Sequence, residues 1–344
     1  MNSMKILQIV ADGNPGGGTT FVLDILKTLD APTLLVQENS YALEKAGDIP
    51  KYGINFFASR FDLRIAAKMQ KVINKVRPKL IHVHGGRAAF FLSFCRKPCP
   101  VLYTVHGLHG IHQGLKFSRF GERKAIKGAT LVNFVSHVEE QLALQTNLLR
   151  GTNHCVIPHG IDLVTIPNKG KKIPKLIGFI GRLCAQKDPL FMLEIMKILG
   201  PKGYRLRVIG GGEYEKEMKR DPYTSVTGKV SREEGLKLLS EVESVIIPSK
   251  WEAFGLVLLE AMALKVPIIA SRIPPFEEVL DGGTFATLID EKDPKKYAAA
   301  ITQGADYSQE AKKHLLQKFS WERCIGSYHS IFRELKENYC YSLS

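Results

Sequence analysis

No stretch of this 344-residue chain approaches the roughly 18 uninterrupted apolar residues of a membrane-spanning helix. The apolar run near its start, KILQIVA, stops at Asp12, too soon for the apolar region of a secretory signal. Six cysteines (Cys95, Cys99, Cys155, Cys184, Cys324, Cys340) are scattered. Their one close pair, CRKPC, has no second pair to complete a zinc site, so they read as reduced thiols rather than a disulfide framework. There is no low-complexity tract and no short-period repeat. The glycines at 16–18 are not followed by Lys and Ser or Thr, which excludes a Walker loop, and GNPGGG is not a G-x-G-x-x-G dinucleotide fingerprint. No D-x-D follows an expected strand, so no divalent metal and no cofactor is expected. Together these absences point to a soluble, cytoplasmic protein.

Acidic residues are also scarce in the first half of the chain. Residues 1–160 hold 20 Lys and Arg against 10 Asp and Glu, whereas 161–344 hold 28 against 24, so most of the net charge of +14 sits in the first half. Much of the excess lies at 60–79 (RFDLRIAAKMQKVINKVRPK) and 112–127 (HQGLKFSRFGERKAIK), where Phe117 and Phe120 stand among cations. An anionic membrane surface or a solvated basic face fits this pattern. Nucleic acid is not expected, because no helix-turn-helix, zinc-finger or aromatic RNA-binding motif accompanies the charge.

With 44% hydrophobic and 24% charged residues, the chain is an ordinary globular protein long enough for two cores. Apolar runs of strand length alternate with segments of helical period. KILQIVA, TLLVQ, INFFA, LIHVH, VLYTVH and ATLVNFVS form one set; KLIGFIG, RLRVIG, SVTG, SVIIPS, PIIAS and TFATLI form another. Ile/Val/Leu runs without polar alternation suit parallel strands covered on both faces, so two doubly wound α/β domains are expected. The joint is placed near 168–175, where NKGKKIPK interrupts the apolar pattern. His82 and His84 are read as packing residues pointing to different layers.

In such folds ligands bind beyond the carboxyl ends of the strands, and facing domains leave a cleft there. The post-strand segments are GNPGGGTT, HGGR, HGLHG, GRLCAQKD, GGGEYE and KWEAFG. Glycine pairs, histidines and cations there suit a phosphate-bearing ligand. The glycines at 16–18 form either an anion-binding helix start or merely a tight turn. Arg182 and Lys187 suit a diphosphate, unless they are ordinary surface cations. In WEAFGLVLLEAMAL a helix is expected to begin near Gly255, its free amides at Phe254, Gly255 and Leu256 facing an anion. Glu260 would lie roughly 7–8 Å along that helix. A carboxylate there repels phosphate, so Glu260 is expected to accept from a vicinal diol such as ribose and Glu252 from a sugar. His106, His109 and His112 are spaced like metal ligands, but His106 ends a strand and no Cys or Asp joins them, so metal is not expected.

These residues resemble the E-x7-E motif of retaining glycosyltransferases of the GT-B fold, in particular family 4 of the nucleotide-sugar-dependent enzymes. The resemblance spans nearly the whole chain: GGG near the start, VHGG, TVHGLHG, VSHVEEQL, VIPHGID, GRLCAQKDP, VIGGGE, PSKWEAFGLVLLEAMALKVPIIAS and a terminal FSWE follow in family order. It implies that Arg182 and Lys187 bind the diphosphate and that Glu260 binds the ribose. Glu252, with the Phe254–Gly255 backbone, would then bind the transferred sugar. It places His106 over the reacting side of that sugar and closes the Gly17–Gly18 turn on the phosphates. Two departures are His159, where the family usually has Asn, and Thr19 or Thr20 in place of an acidic residue.

The implied architecture is an acceptor-binding Rossmann-like domain over 1–165, a nucleotide-sugar-binding one over 172–320, and a helix at 321–344 crossing back to the first. The implied activity is retaining, metal-independent hexosyl transfer from a nucleotide sugar, a UDP-sugar first, to an acceptor glycan. That acceptor is expected to be lipid-linked, in cell-surface polysaccharide or glycolipid synthesis, with the enzyme peripheral on the inner face of the plasma membrane. The alternatives are a nucleotide-sugar epimerase or hydrolase of the same fold and a non-catalytic nucleotide-sugar-binding protein.

Overall fold

The computed structural model of the protein describes residues 4–59, 62–167, 170–304 and 308–341. β1 (Lys5–Val10), β2 (Ala31–Gln37), β3 (Lys51–Ile54), β4 (Leu80–His84), β5 (Val101–Val105), β6 (Leu131–Phe134) and β7 (His154–Val156) form one sheet in the order β3-β2-β1-β4-β5-β6-β7. β8 (Leu176–Ile180), β9 (Arg205–Ile209), β10 (Thr224–Val226), β11 (Ser244–Ile247), β12 (Ile268–Ser271) and β13 (Thr287–Ile289) form a second, ordered β10-β9-β8-β11-β12-β13. Every strand pair is parallel. Both orders run outward from the first strand and then reverse, the doubly wound pattern with one switch point per sheet, at β1/β4 and at β8/β11. The chain divides into two compact units, Met1–Pro158 with Cys324–Ser344, and His159–Arg323. Among the described residues no helix is long and apolar enough to cross a membrane.

β4 and β5 are buried along their whole length, as expected for central parallel strands. One face of the first sheet is apolar: Leu7, Ile9, Ile81, Val83, Val101, Tyr103 and Val105 pack against the helices Arg64–Val76 and Gly86–Leu92. The other face is polar and equally buried. Gln8, His82, Thr104 and Asn133 are each fully inaccessible, and His84 nearly so. The expectation that His82 and His84 point to different layers is overturned, since residues two apart on a strand share a face; their rings lie 4.0 Å apart.

The cover for this polar face comes from the end of the chain. Tyr328, on the helix Trp321–Tyr341, accepts a hydrogen bond from Asn133 Nδ2 at 2.8 Å. Its hydroxyl lies 3.4 Å from Thr104 Oγ1, which is 2.8 Å from His82 Nε2. Buried polar groups left without such partners cost about 1–3 kcal/mol each, so the seating of this helix is specified by polar contacts as well as by Phe332 packing on His82.

Two strand expectations shift. The third strand is Lys51–Ile54 rather than INFFA, because Phe56 turns away to bury its ring and donates its N–H to Gln37 Oε1. β7 escapes a pattern search because HCV is only three residues long and opens on a polar residue.

Candidate functional site

In the second unit the loops after β8 and β11, the two strands of the switch point, carry most of the expected donor residues. The loop after β8 enters a short helical turn, Ala185–Lys187. Gln186 accepts at its carbonyl from Lys250 N–H, and its side-chain amide donates to Trp251 O at 3.0 Å and Glu252 Oε2 at 3.2 Å. The Lys187 ammonium pairs with Glu252 Oε1, which also accepts from Ser249 Oγ at 2.8 Å. Glu252 is thus buried with three donors, which answers why a carboxylate stands in an apolar run: its charge is matched before any ligand arrives. Asp188 adds a brace, pairing with Lys250 and Lys292 from a left-handed backbone conformation (φ 51°).

The helix Leu256–Ala263 begins where expected, with Gly255 as its left-handed N-cap (φ 97°). A Cβ at Gly255 would come within 2.8 Å of Phe276 Cε1, so only glycine satisfies both backbone and packing. The Phe254 ring is buried edge-on between His159 and Phe319. The ring is taken up by packing, with His159 against one side of it. The first amides of this helix have no partner inside the helix and mark its positive end. Glu260, one turn further on, pairs with Arg232 Nε at 3.3 Å, and Arg232 also reaches Thr165 Oγ1. Burial pushes the Glu260 carboxyl up, with Arg232 opposing it.

Arg182 is exposed in a loop held from below by backbone hydrogen bonds and by the buried Leu183 side chain. Gly181 N–H donates to Ile209 O and Leu183 N–H to Gly211 O. A Cβ at Gly210 would overlap the Gly181 carbonyl, and one at Gly212 the Leu183 carbonyl. Gly210 and Gly212 of VIGGGE therefore form a close backbone seat for the Arg182 loop.

In the first unit the structure brings Gly18 and His106 together. The helix Gly17–Leu26 starts so close to the His106 ring that a Cβ on Gly18 would sit 3.6 Å from His106 Cγ. His106 Nε2 lies 3.0 Å from His84 Nδ1, and Phe21 packs edge-on against both rings. Burial, with the nearby His109, pushes the His106 imidazole down to about 4, so it is neutral at neutral pH. His112 turns elsewhere, its Nε2 lying 2.6 Å from Glu139 Oε1.

Several supporting residues escaped the sequence reading. Gln186 and Ser249 sit inside quoted motifs but carry no charge to draw attention. Arg232 opens a helix behind a Ser231–Glu234 cap, and that capping signal was the available clue. Glu139, fully buried, accepts from Leu108 N–H at 2.7 Å as well as from His112, tying down the loop after His106.

A family model described as Glycosyltransferase Family 4 matches residues 15–165, and one described as Glycosyl transferases group 1 matches 174–306. The Escherichia coli UDP-Gal:alpha-D-GlcNAc-diphosphoundecaprenol alpha-1,3-galactosyltransferase is 24% identical over 71% of this chain and 71% of its own. The Staphylococcus aureus capsular polysaccharide biosynthesis glycosyltransferase CapM is 22% identical over 79% of this chain and 82% of its own. Among solved structures, Anabaena HepE in complex with UDP-glucose superposes with a TM-score of 0.79 at 19% identity, covering 97% of this chain and 100% of that one. Matched in both halves and sharing this fold throughout, the chain belongs to the family 4 glycosyltransferases of the GT-B fold.

Proposed function

We propose that this glycosyltransferase moves a sugar from a UDP-sugar to a hydroxyl of a lipid-linked glycan, with retention and without a metal, in the synthesis of a surface polysaccharide or glycolipid. The observation that carries this reading is the set formed by Lys187, Glu252, the Gly255 helix start and Glu260 at the switch point of the second sheet. It offers cations and amides for a diphosphate between two carboxylates suited to hydroxyls. The named relatives support the acceptor class, one acting on a diphosphoundecaprenol-linked sugar and one in capsular polysaccharide synthesis; HepE, bound to UDP-glucose, supports the donor class. In this reading residues 172–320 bind the donor, 1–165 serve the acceptor, and the helix at 321–344 returns to the first domain.

As the bond to the diphosphate breaks, negative charge grows on the leaving phosphate and positive charge on the sugar. Arg182, Lys187 and the amides of Phe254, Gly255 and Leu256 stabilise the former. Glu252, its orientation set by Gln186, Ser249 and Lys187, accepts from a sugar hydroxyl, and Glu260 from the ribose. Glu260 is then engaged elsewhere, so the carboxylate pair of a retaining hydrolase is missing. Attack from the leaving-group side, with the acceptor hydroxyl bonded to the departing phosphate, gives retention.

The deciding experiment is a panel of labelled nucleotide sugars with and without a polyprenyl-diphosphate-linked sugar. Transfer that requires the lipid acceptor supports the proposal; conversion of the donor alone would favour an epimerase or hydrolase. Because cations stand where a metal would neutralise the diphosphate, activity is expected to survive excess EDTA, and a full, magnesium-reversible loss would overturn metal independence.

A membrane-linked acceptor also gives the basic face of the first unit a use. On the helix Lys116–Lys127, Arg119, Phe120 and Arg123 are exposed, with Phe120 67% accessible, and exposed Leu115 precedes it. The side chains of Lys116 and Phe117, and residues 60 and 61, lie outside the described residues. Each Lys or Arg near an anionic bilayer contributes about 1 kcal/mol, and an apolar side chain between them adds burial among the headgroups. Sedimentation with anionic vesicles is therefore expected at low salt, decreasing with salt and on changing Lys116, Arg119, Arg123 and Lys124 to Ser. Protein that stays in the supernatant would remove the membrane from the model while leaving the transferase standing.

A further inference from the structure

Arg232 makes a choice that its immediate neighbours do not explain. It opens the helix Arg232–Ser240, where Glu233 and Glu234 follow it directly and are exposed, yet among the described residues it bonds neither. Its guanidinium instead reaches two groups distant in sequence: Nε donates to Glu260 Oε1 and Nη1 to Thr165 Oγ1, each at 3.3 Å. All of these residues belong to the second unit. Thr165 is itself fixed, since its hydroxyl donates to Asp162 O at 2.8 Å and Asp162 Oδ1 accepts from Val164 N–H at 2.8 Å. A hydroxyl whose proton is spent in this way can only accept from Arg232, and a guanidinium can only donate. The line therefore runs outward from Arg232 at both ends.

Glu260 receives this contact on one oxygen only. Among the described residues nothing bonds its Oε2, and that atom is not sealed from solvent. The Glu260 side chain is 17% accessible and that of Arg232 29%, so this is not an exposed ion pair of the kind that contributes little. Arg232 is also the charge that opposes burial at this carboxyl. The helix Leu256–Ala263 packs against Arg232–Ser240 and Ser308–Lys318. On the latter, Glu310, Lys312, Lys313 and Lys318 make no contact with Glu260, and His314 turns to Val279 O. A half-enclosed carboxylate needs an opposite charge beside it to stay ionised, and Arg232 is the one in place.

We propose that Arg232, anchored by Thr165, is a positioning residue that holds Glu260 by Oε1 and so presents Oε2 to a hydroxyl of a vicinal diol such as that of a ribose. The diol rests on the transferase reading; the hold of Arg232 on Glu260 does not. A guanidinium suits this task better than an ammonium, because its planar fork fixes two acceptors in one orientation. Beside Arg232 the carboxylate is a charged acceptor, and hydrogen bonds to ionised acceptors are roughly twice as strong as neutral ones. Without Arg232 burial acts unopposed, the carboxyl takes up a proton at higher pH, and the acceptor becomes a competing donor.

Two measurements test this. Carbon-13 labelling of glutamate carboxyls follows the titration of Glu260 in the ligand-free protein, its signal assigned by loss in Glu260→Gln. Arg232→Gln is expected to move that midpoint to higher pH. Thr165→Val, which keeps both charges but removes the anchor, is expected to move it the same way by less, and Thr165→Ser to return it to the parent value. Calorimetry with UDP is expected to show affinity in Arg232→Gln lowered roughly ten- to a hundredfold between the two midpoints and recovering as pH is raised. In a Glu260→Gln background the same substitution is expected to have no pH-dependent effect. A Glu260 midpoint that stays put in a folded Arg232→Gln protein, or a loss of UDP affinity equal at every pH, would overturn the proposal; if Arg232→Gln does not fold, an unmoved midpoint in Thr165→Val does so. The ribose is tested separately in the parent with 2′-deoxy-UDP. Weaker binding than UDP supports the diol; equal binding removes it, while the carboxyl titration still decides whether Arg232 holds Glu260.

Discussion

Glu260→Ala is expected to weaken nucleoside diphosphate binding by about 1.5–3 kcal/mol, roughly ten- to a hundredfold, whereas Glu252→Ala is expected chiefly to lower turnover. The two carboxylates stand on opposite sides of the helix start at Gly255 and have different partners, Arg232 for Glu260 and Lys187 with Gln186 and Ser249 for Glu252. Losing Glu260 removes a charged acceptor for the ribose. Losing Glu252 releases Lys187, which remains available to the diphosphate, so nucleotide affinity holds or rises while the sugar loses its guide. Calorimetry with the nucleoside diphosphate measures the first effect and steady-state kinetics the second. Equal nucleotide binding by Glu260→Ala and the parent would sink the ribose assignment.

Glu122→Gln is expected to stabilise the protein by about 2–3 kcal/mol at pH 8 and hardly at all at pH 4.5. Burial pushes the Glu122 carboxyl from 4.5 up to about 7, with the Tyr103 hydroxyl bond opposing and Glu139 reinforcing the rise. The folded protein therefore holds a proton that the unfolded chain releases, and stability is lost as pH climbs from 4.5 to about 7, levelling off above. Glutamine has no charge to bury and keeps an oxygen for Tyr103, whose hydroxyl donates to Glu122 at 3.2 Å. For a unit of this size the gain corresponds to roughly 5–10 °C in Tm. Melting curves across pH 4.5–8 check it: a gap between variant and parent that does not widen with pH would show that Glu122 is not buried as a proton carrier.

The fold was legible because its signals are local and repeated. Runs such as LIHVH and SVIIPS announce buried parallel strands, and their alternation with helical segments, repeated twice, announces two doubly wound units. The helix at Leu256–Ala263 was expected to begin near Gly255, and it does, because glycine tolerates the left-handed backbone at its cap. What the sequence hid was partnership at long range. Lys187 and Glu252 are 65 positions apart, and Arg232 and Glu260 are 28; nothing local says that they meet. The backbone seat at Gly210 and Gly212 was hidden for a related reason. A glycine needed for a ligand and one needed for a neighbouring backbone look identical until the neighbour is placed. His82 and His84 are a different case, a plain error of parity that the strand period already forbade.

The discontinuous make-up of the first unit sets a timetable for biosynthesis. Its sheet is complete once Pro158 has been made, yet Tyr328, which caps Thr104 and Asn133, is encoded beyond the whole second unit. At about 5–20 residues per second the intervening stretch takes about 10–30 s to emerge. Throughout that interval a face of amides, hydroxyls and imidazoles waits uncovered, and it can be hydrated where a face of leucines would stick to other chains. The polarity of Gln8, His82, Thr104 and Asn133 thus gives the nascent polypeptide a water-tolerant holding state while the ribosome finishes the helix that will seal it.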